Sequence, residues 1–505
     1  MSFKKSAYIF SLLNLLVLPF GFVIRIFYSQ TLTIDDFGFL YAVIAFFSFI
    51  TIFTKLGLEQ SLLYFFPKYI SKNDKLSQKN SFYSVFLLVF AVNLLLAILL
   101  YFFSSFLEVH YFRYDGATFF ISVFFLYFFL NDFITLVTSV FLSYNKIFLS
   151  QIFYALRLLF TFLFSLFFFL GGFEPLPEYY AFSWTFSFLL FGLLNFGIFF
   201  KMFPFFLEKP TFSFSLLKEF LHYGFFGLFT GAGTMIIAQI DLLLLTGFFS
   251  VSDVGLYSNA VSVISIFFLL LSPLSLLFLP LFSRYKEEGN YELMKTLMHL
   301  LYVIGFYLLL PFSLLFYLYS DTLLMLVFSA PFVAAAPYLK LFALFSIFRV
   351  LYEYNVNIMK GLGLIRETSV IITGVALANF FFDLLALQFF GILGIALVTG
   401  LCWLALFFLT FVSLYKRIAF NIKFFSFFLT CFLAYVFLLF VDFLKLIVRT
   451  GFYLLDILFI FFIAFFFYLL AGYFLKIYTF KQLSLLVPDP FLKTYQRLCA
   501  FFRLK

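Results

Sequence analysis

Long apolar segments separated by short polar connectors run along nearly the whole of the 505-residue chain. Each segment holds about 20 residues or more, and a helix of that length crosses the ~30 Å hydrocarbon core of a bilayer. Helices satisfy their own backbone hydrogen bonds in lipid, so the pattern predicts an all-α polytopic membrane protein with about fourteen transmembrane helices. The predicted spans are 7–32, 37–66, 81–106, 117–142, 148–172, 179–206, 216–247, 251–282, 294–319, 333–359, 365–390, 392–415, 424–444 and 452–475.

The composition agrees with this pattern. Hydrophobic residues make up 65% of the chain, charged residues make up 11%, and the mean hydropathy is +1.14. A soluble domain has about 25% charged residues, so the chain has too few charges to cover a water-facing surface. The three cysteines lack metal or disulfide spacing, and no P-loop, Rossmann, HExxH or Ser/His/Asp motif is present. We therefore expect neither enzymatic catalysis nor a resident cofactor.

Lysine and arginine are concentrated in every second connector. Basic residues in short loops favour the cytoplasmic side of a membrane. The intervening loops are mostly neutral or acidic, as at Asp35, Glu174, Asp253 and Asp321. We expect both termini to be cytoplasmic, in a plasma or inner membrane. The basic connectors contain Lys4 and Lys5; Lys68, Lys72, Lys75 and Lys79; Lys146; Lys201, Lys209 and Lys218; Arg284 and Lys286; Lys360 and Arg366; Lys416, Arg417 and Lys423; and Lys476.

The chain shows signs of an internal duplication. The segment from Asp36 to Tyr41 resembles the segment from Asp253 to Tyr257, and the offset is 253 − 36 = 217 residues. Six predicted helices separate the two copies, and an even number of helices gives both halves the same orientation in the membrane. The pattern predicts two six-helix lobes in a parallel pseudo-twofold repeat, followed by two C-terminal helices. The expected divisions are lobes at 1–206 and 216–415, a cytoplasmic connector at 207–215, helices 13 and 14 within 424–475, and an amphipathic cytoplasmic tail at 476–505.

Ionisable residues inside the predicted spans are the candidates for a transport site. Such a side chain costs roughly 2.5–3.5 kcal/mol at a helix centre and usually faces a cavity or a partner. Arginine binds phosphate oxygens bidentately, so a cavity lined by these cations suits a phosphate-bearing ligand. The candidate cavity residues are Arg25, Arg157, Asp241, Lys340 and Arg349, and the candidate ion-coupling or charge partners are Asp132, Glu353 and Asp383.

Two pairs of charged residues have helical spacing. Lys55 and Glu59 are four residues apart, as are Arg349 and Glu353, so each pair can meet on one helical face. These contacts are compatible either with mutual neutralisation in the membrane or with a functional site. The sequence leaves both interpretations open.

Three segments resemble a known family of membrane proteins. They are Arg25 with Leu32–Tyr41 and Leu56–Leu58; Ile240–Asp241 with Val254–Tyr257, Pro280 and Arg284; and Asn379 with Gly391–Ala396. With them the chain resembles the Wzx-type polysaccharide and oligosaccharide-lipid flippases of the multidrug/oligosaccharidyl-lipid/polysaccharide exporter superfamily. The resemblance implies two six-helix lobes around a cationic cavity, two extra C-terminal helices and alternating access. Of the candidate cavity residues, only Arg25 and Asp241 lie in its motif positions.

The expected function is the transfer of polyprenyl-(pyro)phosphate-linked oligosaccharide from the cytoplasmic to the outer leaflet, for surface polysaccharide or glycan synthesis. One alternative is multidrug efflux coupled to Na⁺ or H⁺, in which Asp132, Asp241 and Asp383 are the essential groups. A membrane glycan polymerase or ligase is a second alternative, although the loops are short for one. Expected partners are the lipid-linked substrate, membrane lipids and glycan assembly enzymes. The net charge of +9 fits cytoplasmic loops and anionic lipid rather than nucleic acid.

Overall fold

A computed structural model describes residues 20–209, 212–421, 424–448 and 451–477, and every regular element in those residues is helical. Lys4, Lys5 and nearly all of the predicted amphipathic tail lie outside the described residues. The α-helices are α1 (20–31), α2 (Ile34–Lys55), α3 (Leu58–Ser71), α4 (Lys75–Phe106), α5 (Ala117–Ser143), α6 (Ile147–Leu170), α7 (Pro177–Met202), α8 (Phe214–Phe248), α9 (Val251–Glu287), α10 (Tyr291–Leu318), α11 (Ser320–Val327), α12 (Ala336–Gly361), α13 (Ile365–Ile418), α14 (Phe424–Ile447) and α15 (Tyr453–Phe474).

The prediction of an all-α polytopic membrane protein is confirmed. Twelve helices within the described residues are long and apolar enough to cross a membrane. One of them, α13, has a non-helical residue at Gly391 with φ 59° and ψ −143°, and it covers the two predicted spans that meet there. The first predicted span is described only from residue 20 onward, as α1. These two differences account for the gap between twelve observed helices and about fourteen predicted ones.

The predicted span 37–66 is wrong as a single helix. The structure divides it into α2 and α3, because Leu56 and Gly57 have left-handed backbone angles, with φ of 51° and 69°. The backbone of α8 approaches at this break. A Cβ atom built on Gly57 would lie 2.1 Å from the carbonyl oxygen of Gly224. The sequence pattern missed the break because apolar residues continue on both sides of it.

Replacement of Gly57 by alanine is expected to destabilise the protein. The new Cβ would strain a left-handed residue by about 1–2 kcal/mol and would collide with the Gly224 backbone. The melting temperature and the monodisperse fraction of detergent-purified protein should both fall. Gly197→Ala in α7 is the control, because a Cβ there would have no neighbour within 4 Å. Equal melting temperatures for the two variants would contradict the close approach.

The chain divides into two compact units. Unit 1 comprises Met1–Ser262 and Ile372–Ile395, and unit 2 comprises Val263–Ile371 and Ala396–Lys505. The lobe boundaries expected from the internal repeat, at 1–206 and 216–415, stay a prediction.

Aromatic rings fill the core of unit 1. Phe199 packs against Phe82 and Phe206, with ring centroids 5.2 and 4.8 Å apart, and Phe65 stacks on Phe220 at 4.8 Å. All except Phe65 are at most 1% exposed, and Phe65 is 7% exposed. Lipid tails are as apolar as these side chains, so van der Waals packing rather than hydrophobic transfer holds such helices together. Many of the phenylalanines therefore pack between helices.

Within unit 2, a pair of tyrosines joins the last helix, α15, to α10. The rings of Tyr307 on α10 and Tyr468 on α15 stack with centroids 4.4 Å apart. Each hydroxyl donates a hydrogen bond to the backbone carbonyl of the other residue. A Cβ on Gly472 would collide with the Tyr307 hydroxyl, so the glycine makes room for this contact. The contact anchors α15 on α10.

Candidate functional site

Arg25 on α1 lies among aromatic and amide groups of unit 1. Its guanidinium carbon lies 3.7 Å from the ring centroid of Tyr41 and 5.4 Å from that of Phe37, both on α2. Its Nε donates to Oδ1 of Asn259 on α9 at 3.0 Å. The Nη2 atom is buried without a hydrogen-bond acceptor, and no described carboxylate forms an ion pair with this residue. Arg25 thus retains donor capacity for an anion.

Arg157 on α6 has a similar aromatic environment. Its guanidinium carbon lies 3.9 Å from the ring centroid of Phe188 and 4.6 Å from that of Tyr154. The Nε atom is buried without an acceptor, and among the described residues no carboxylate pairs with Arg157. Cation–π contacts hold the guanidinium in place without neutralising it. Two of the five predicted cavity residues therefore keep an uncompensated positive charge within unit 1.

A third cation in unit 1, Lys55, was not among the predicted cavity residues. Its Nζ lies 3.7 Å from a carboxylate oxygen of Glu59 and 3.8 Å from one of Asp132 on α5. Asp132 is fully buried and also accepts hydrogen bonds from Thr54 at 2.6 Å and Asn93 at 3.1 Å. Lys55 and Glu59 meet as predicted, although not on one helical face, because α2 ends at Lys55 and Glu59 belongs to α3. The contact with Asp132 depends on how α2 packs against α5.

A cavity of about 240 Å³ lies beside Lys55 in unit 1. Its walls combine hydroxyl and amide groups from α2 and α5 with aromatic rings from α5 and α7. Pockets with mainly apolar walls and a few polar groups are typical ligand sites. The polar and amphipathic residues that line it are Ser48, Thr51, Lys55, Tyr127, Asn131 and Trp184.

Asp241 and Asp383 form a second group of buried polar residues in unit 1. The carboxyl group of Asp383 lies beside that of Asp241. Tyr257 donates to Asp241, and Asn379 donates to Asp383 at 2.6 Å. Asp241 is 6% exposed and Asp383 is fully buried. Two buried carboxyl groups this close to each other disfavour simultaneous ionisation, and a proton or another cation between them would relieve the repulsion.

The remaining predicted residues lie in unit 2 and are already paired. Arg349 lies 3.6 Å from Glu353, as their four-residue spacing indicated, and its guanidinium lies 5.0 Å from the Tyr352 ring centroid. Lys340 forms an ion pair of 2.8 Å with Asp321, and both side chains are more than one-third exposed. The sequence offered no helical partner for Lys340, because Asp321 is on a separate short helix, α11. Neither Arg349 nor Lys340 keeps an uncompensated charge.

Solved structures with the same fold include two kinds of transporter. The chain is similar to the lipid II flippase MurJ in an inward closed conformation, with a TM-score of 0.72 and 14% identity over 93% of this chain and 98% of that one. It is also similar to an inward-facing multidrug resistance MATE family transporter of the MOP superfamily. That match has a TM-score of 0.68 and 13% identity over 81% of this chain and 98% of that one. At these identities the likeness concerns the fold alone.

Sequence relatives come from an archaeon and a bacterium. An uncharacterized membrane protein of Methanocaldococcus jannaschii is 23% identical over 400 residues, which is 76% of this chain and 78% of the relative. The teichuronic acid biosynthesis protein TuaB of Bacillus subtilis is 28% identical over 159 residues, which is 30% of this chain and 32% of TuaB. The model of the family described as polysaccharide biosynthesis protein matches residues 3–286, more than half of the chain. The chain is therefore a multi-pass membrane protein that belongs to the polysaccharide biosynthesis protein family.

Proposed function

We propose that this protein is a flippase that moves polyprenyl-(pyro)phosphate-linked oligosaccharide from the cytoplasmic to the outer leaflet of the cell membrane by alternating access. The observation that supports it most directly is a pair of half-buried arginines, Arg25 and Arg157. Each has a buried guanidinium nitrogen without an acceptor and lacks a carboxylate partner in the described chain. A membrane protein retains an unpaired buried charge at a substantial cost. A ligand phosphate supplies the missing countercharge and accepts the unused N–H donors.

The proposed direction of transport is from the cytoplasmic leaflet to the outer leaflet. The substrate enters from the cytoplasmic leaflet, where enzymes that assemble the glycan on its lipid carrier supply it, and it is released at the outer leaflet. The lipid tail stays in the bilayer, because moving it through a polar site would expose its apolar surface. The alternation of basic connectors supports cytoplasmic termini. Membership of the polysaccharide biosynthesis protein family supports a glycan cargo.

Depletion of the protein in its host tests this function. Lipid-linked oligosaccharide should accumulate on the cytoplasmic leaflet, where added enzymes or labels that cannot cross the membrane do not reach it. Re-expression of the wild-type chain should clear the accumulated precursor. Normal precursor levels together with reduced drug resistance would instead favour multidrug efflux, the function named for the MATE family transporter that shares this fold.

Ion coupling is the part of the mechanism that the Asp241–Asp383 pair supports. Asp383→Asn keeps the shape of the side chain and an oxygen that can accept the hydrogen bond from Asn379, but it removes one ionisable group. We expect gradient-driven transport in proteoliposomes to fall about tenfold and to lose its dependence on an imposed Na⁺ or H⁺ gradient. Asp442→Asn is the control, because Asp442 is exposed and pairs with Lys445. Unchanged gradient dependence in Asp383→Asn would show that transport is driven in another way.

A further inference from the structure

The cavity beside Lys55 follows one face of α2. Ile44, Ser48, Thr51 and Lys55 recur at intervals of four, three and four residues, so they form a single stripe along the helix. Tyr41 precedes Ile44 by three residues and continues the same stripe, and its ring lies in cation–π contact with the Arg25 guanidinium. The distance along the helix from Tyr41 to Lys55 is roughly 21 Å. The Arg25 guanidinium and the cavity therefore lie one after the other along the same face of α2.

The two ends of this stripe differ in charge. Arg25 has no carboxylate partner in the described residues, whereas Lys55 lies within 4 Å of two carboxylates, Glu59 and Asp132. A phosphate beside Lys55 would be repelled by both carboxylates in a medium of low polarity. The lysine end consequently disfavours an anion. The group that occupies the cavity therefore carries no negative charge.

The remaining walls offer the contacts that a neutral polar ring requires. Ser48 and Asn131 are half-buried, and in the described part of the chain neither side chain has a hydrogen-bond partner. Tyr127 and Trp184 pack edge to face, with ring centroids 5.4 Å apart, and form an aromatic wall. Aromatic residues with polar atoms bind ligands that have both apolar faces and hydroxyl groups. A sugar ring has that combination.

We propose that this cavity, which we call the sugar subsite, holds the uncharged sugar ring next to the pyrophosphate of the lipid-linked glycan. The ring lies against Tyr127 and Trp184, and its hydroxyls bond to Ser48 and Asn131. Lys55 is held by Glu59 and Asp132, so it donates to a hydroxyl rather than neutralising an anion. This assignment rests on the proposed flippase function. It adds that an uncharged first sugar, as well as phosphate, is recognised.

Tryptophan fluorescence of the full-length protein in lipid nanodiscs tests the sugar subsite. The chain has two tryptophans, so Trp403→Phe leaves Trp184 as the reporter. The probes are neutral methyl glycosides of glucose, galactose and N-acetylglucosamine. Inorganic pyrophosphate is the anionic comparison. We expect at least one glycoside to change Trp184 emission saturably, and Asn131→Ala to weaken its apparent affinity about tenfold. Ser122→Ala is the control, because Ser122 is exposed on the same helix.

Two outcomes would overturn the sugar subsite. One is the absence of a saturable change with every glycoside, and the other is a glycoside affinity that is unchanged in Asn131→Ala. The cellular precursor assay separates this inference from the proposed function. If depletion causes accumulation and Asn131→Ala clears it as well as wild type, the flippase function stands and the sugar subsite is wrong. If depletion causes no accumulation, the flippase function itself fails.

Discussion

Arg25→Ala is expected to reduce transport of lipid-linked oligosaccharide about 100-fold, because it removes a charged donor that no carboxylate in the described chain satisfies. A charge-assisted hydrogen bond to a buried phosphate contributes about 1.5–3 kcal/mol, and the guanidinium can make two. The measurement is the initial rate of translocation of a labelled lipid-linked oligosaccharide in proteoliposomes. Arg366→Ala is the control, because Arg366 is exposed at the start of α13.

Two further variants separate phosphate binding from a structural role of Arg25. Arg25→Lys keeps the charge but loses the planar, bidentate donor, so it should recover only part of the rate. Asn259→Ala removes the amide that positions the Nε atom but leaves the positive charge in place. It should therefore transport faster than Arg25→Ala. If Asn259→Ala and Arg25→Ala are equally inactive and equally unstable, the hydrogen bond between the two residues explains the effect and the phosphate assignment is wrong.

Gly38→Ala is expected to have the largest effect on folding. Gly38 lies where α2 contacts the start of α9, and a Cβ there would lie 1.8 Å from the carbonyl oxygen of Val251. The obstructing atom is backbone, so no side-chain movement relieves the collision and the two helices must separate. Overpacking of this kind costs about 1–3 kcal/mol or more. We expect a clear fall in melting temperature and a loss of transport.

The matched control for Gly38→Ala is Gly374→Ala in α13. A Cβ on Gly374 would have no neighbour within 4 Å, and its backbone is helical, so alanine should be neutral or slightly stabilising. Both variants can be purified in detergent and compared by thermal melting and size-exclusion chromatography. A wild-type melting temperature for Gly38→Ala would mean that the contact between α2 and α9 is looser than the structure shows.

The contact at Gly38 also bears on the internal repeat. The two similar segments, one around Gly38 and one around Gly255, lie against each other, and a Cβ on Gly255 would be 3.1 Å from the Cα of Gly38. The Ser252 hydroxyl donates to Asp35 beside this contact. The similarity was visible in the sequence, but the direct packing of the two copies was not. Close helix contact at small residues is a common device in membrane proteins.

The sequence alone determined the class of protein, the approximate number and position of the spans, and the residue types available for a site. Hydrophobic length is a local property, since each segment must cross the bilayer by itself, so it can be read without knowledge of the neighbours. The same reasoning identified Arg25 and Arg157 as cations within predicted spans. It also indicated the contact of Arg349 with Glu353 on one helical face. Lys55 and Glu59 meet as well, but across the break between α2 and α3.

Only the tertiary structure decided which charges are compensated. Whether a buried cation meets a carboxylate depends on helix packing and rotation, and the lipid-facing pattern of a largely apolar helix contains little information about either. The structure pairs Lys55 with Asp132 and Lys340 with Asp321, and it leaves Arg25 and Arg157 on aromatic rings. The break at Gly57 was hidden for the same reason, because the approach of a distant backbone, at Gly224, requires it.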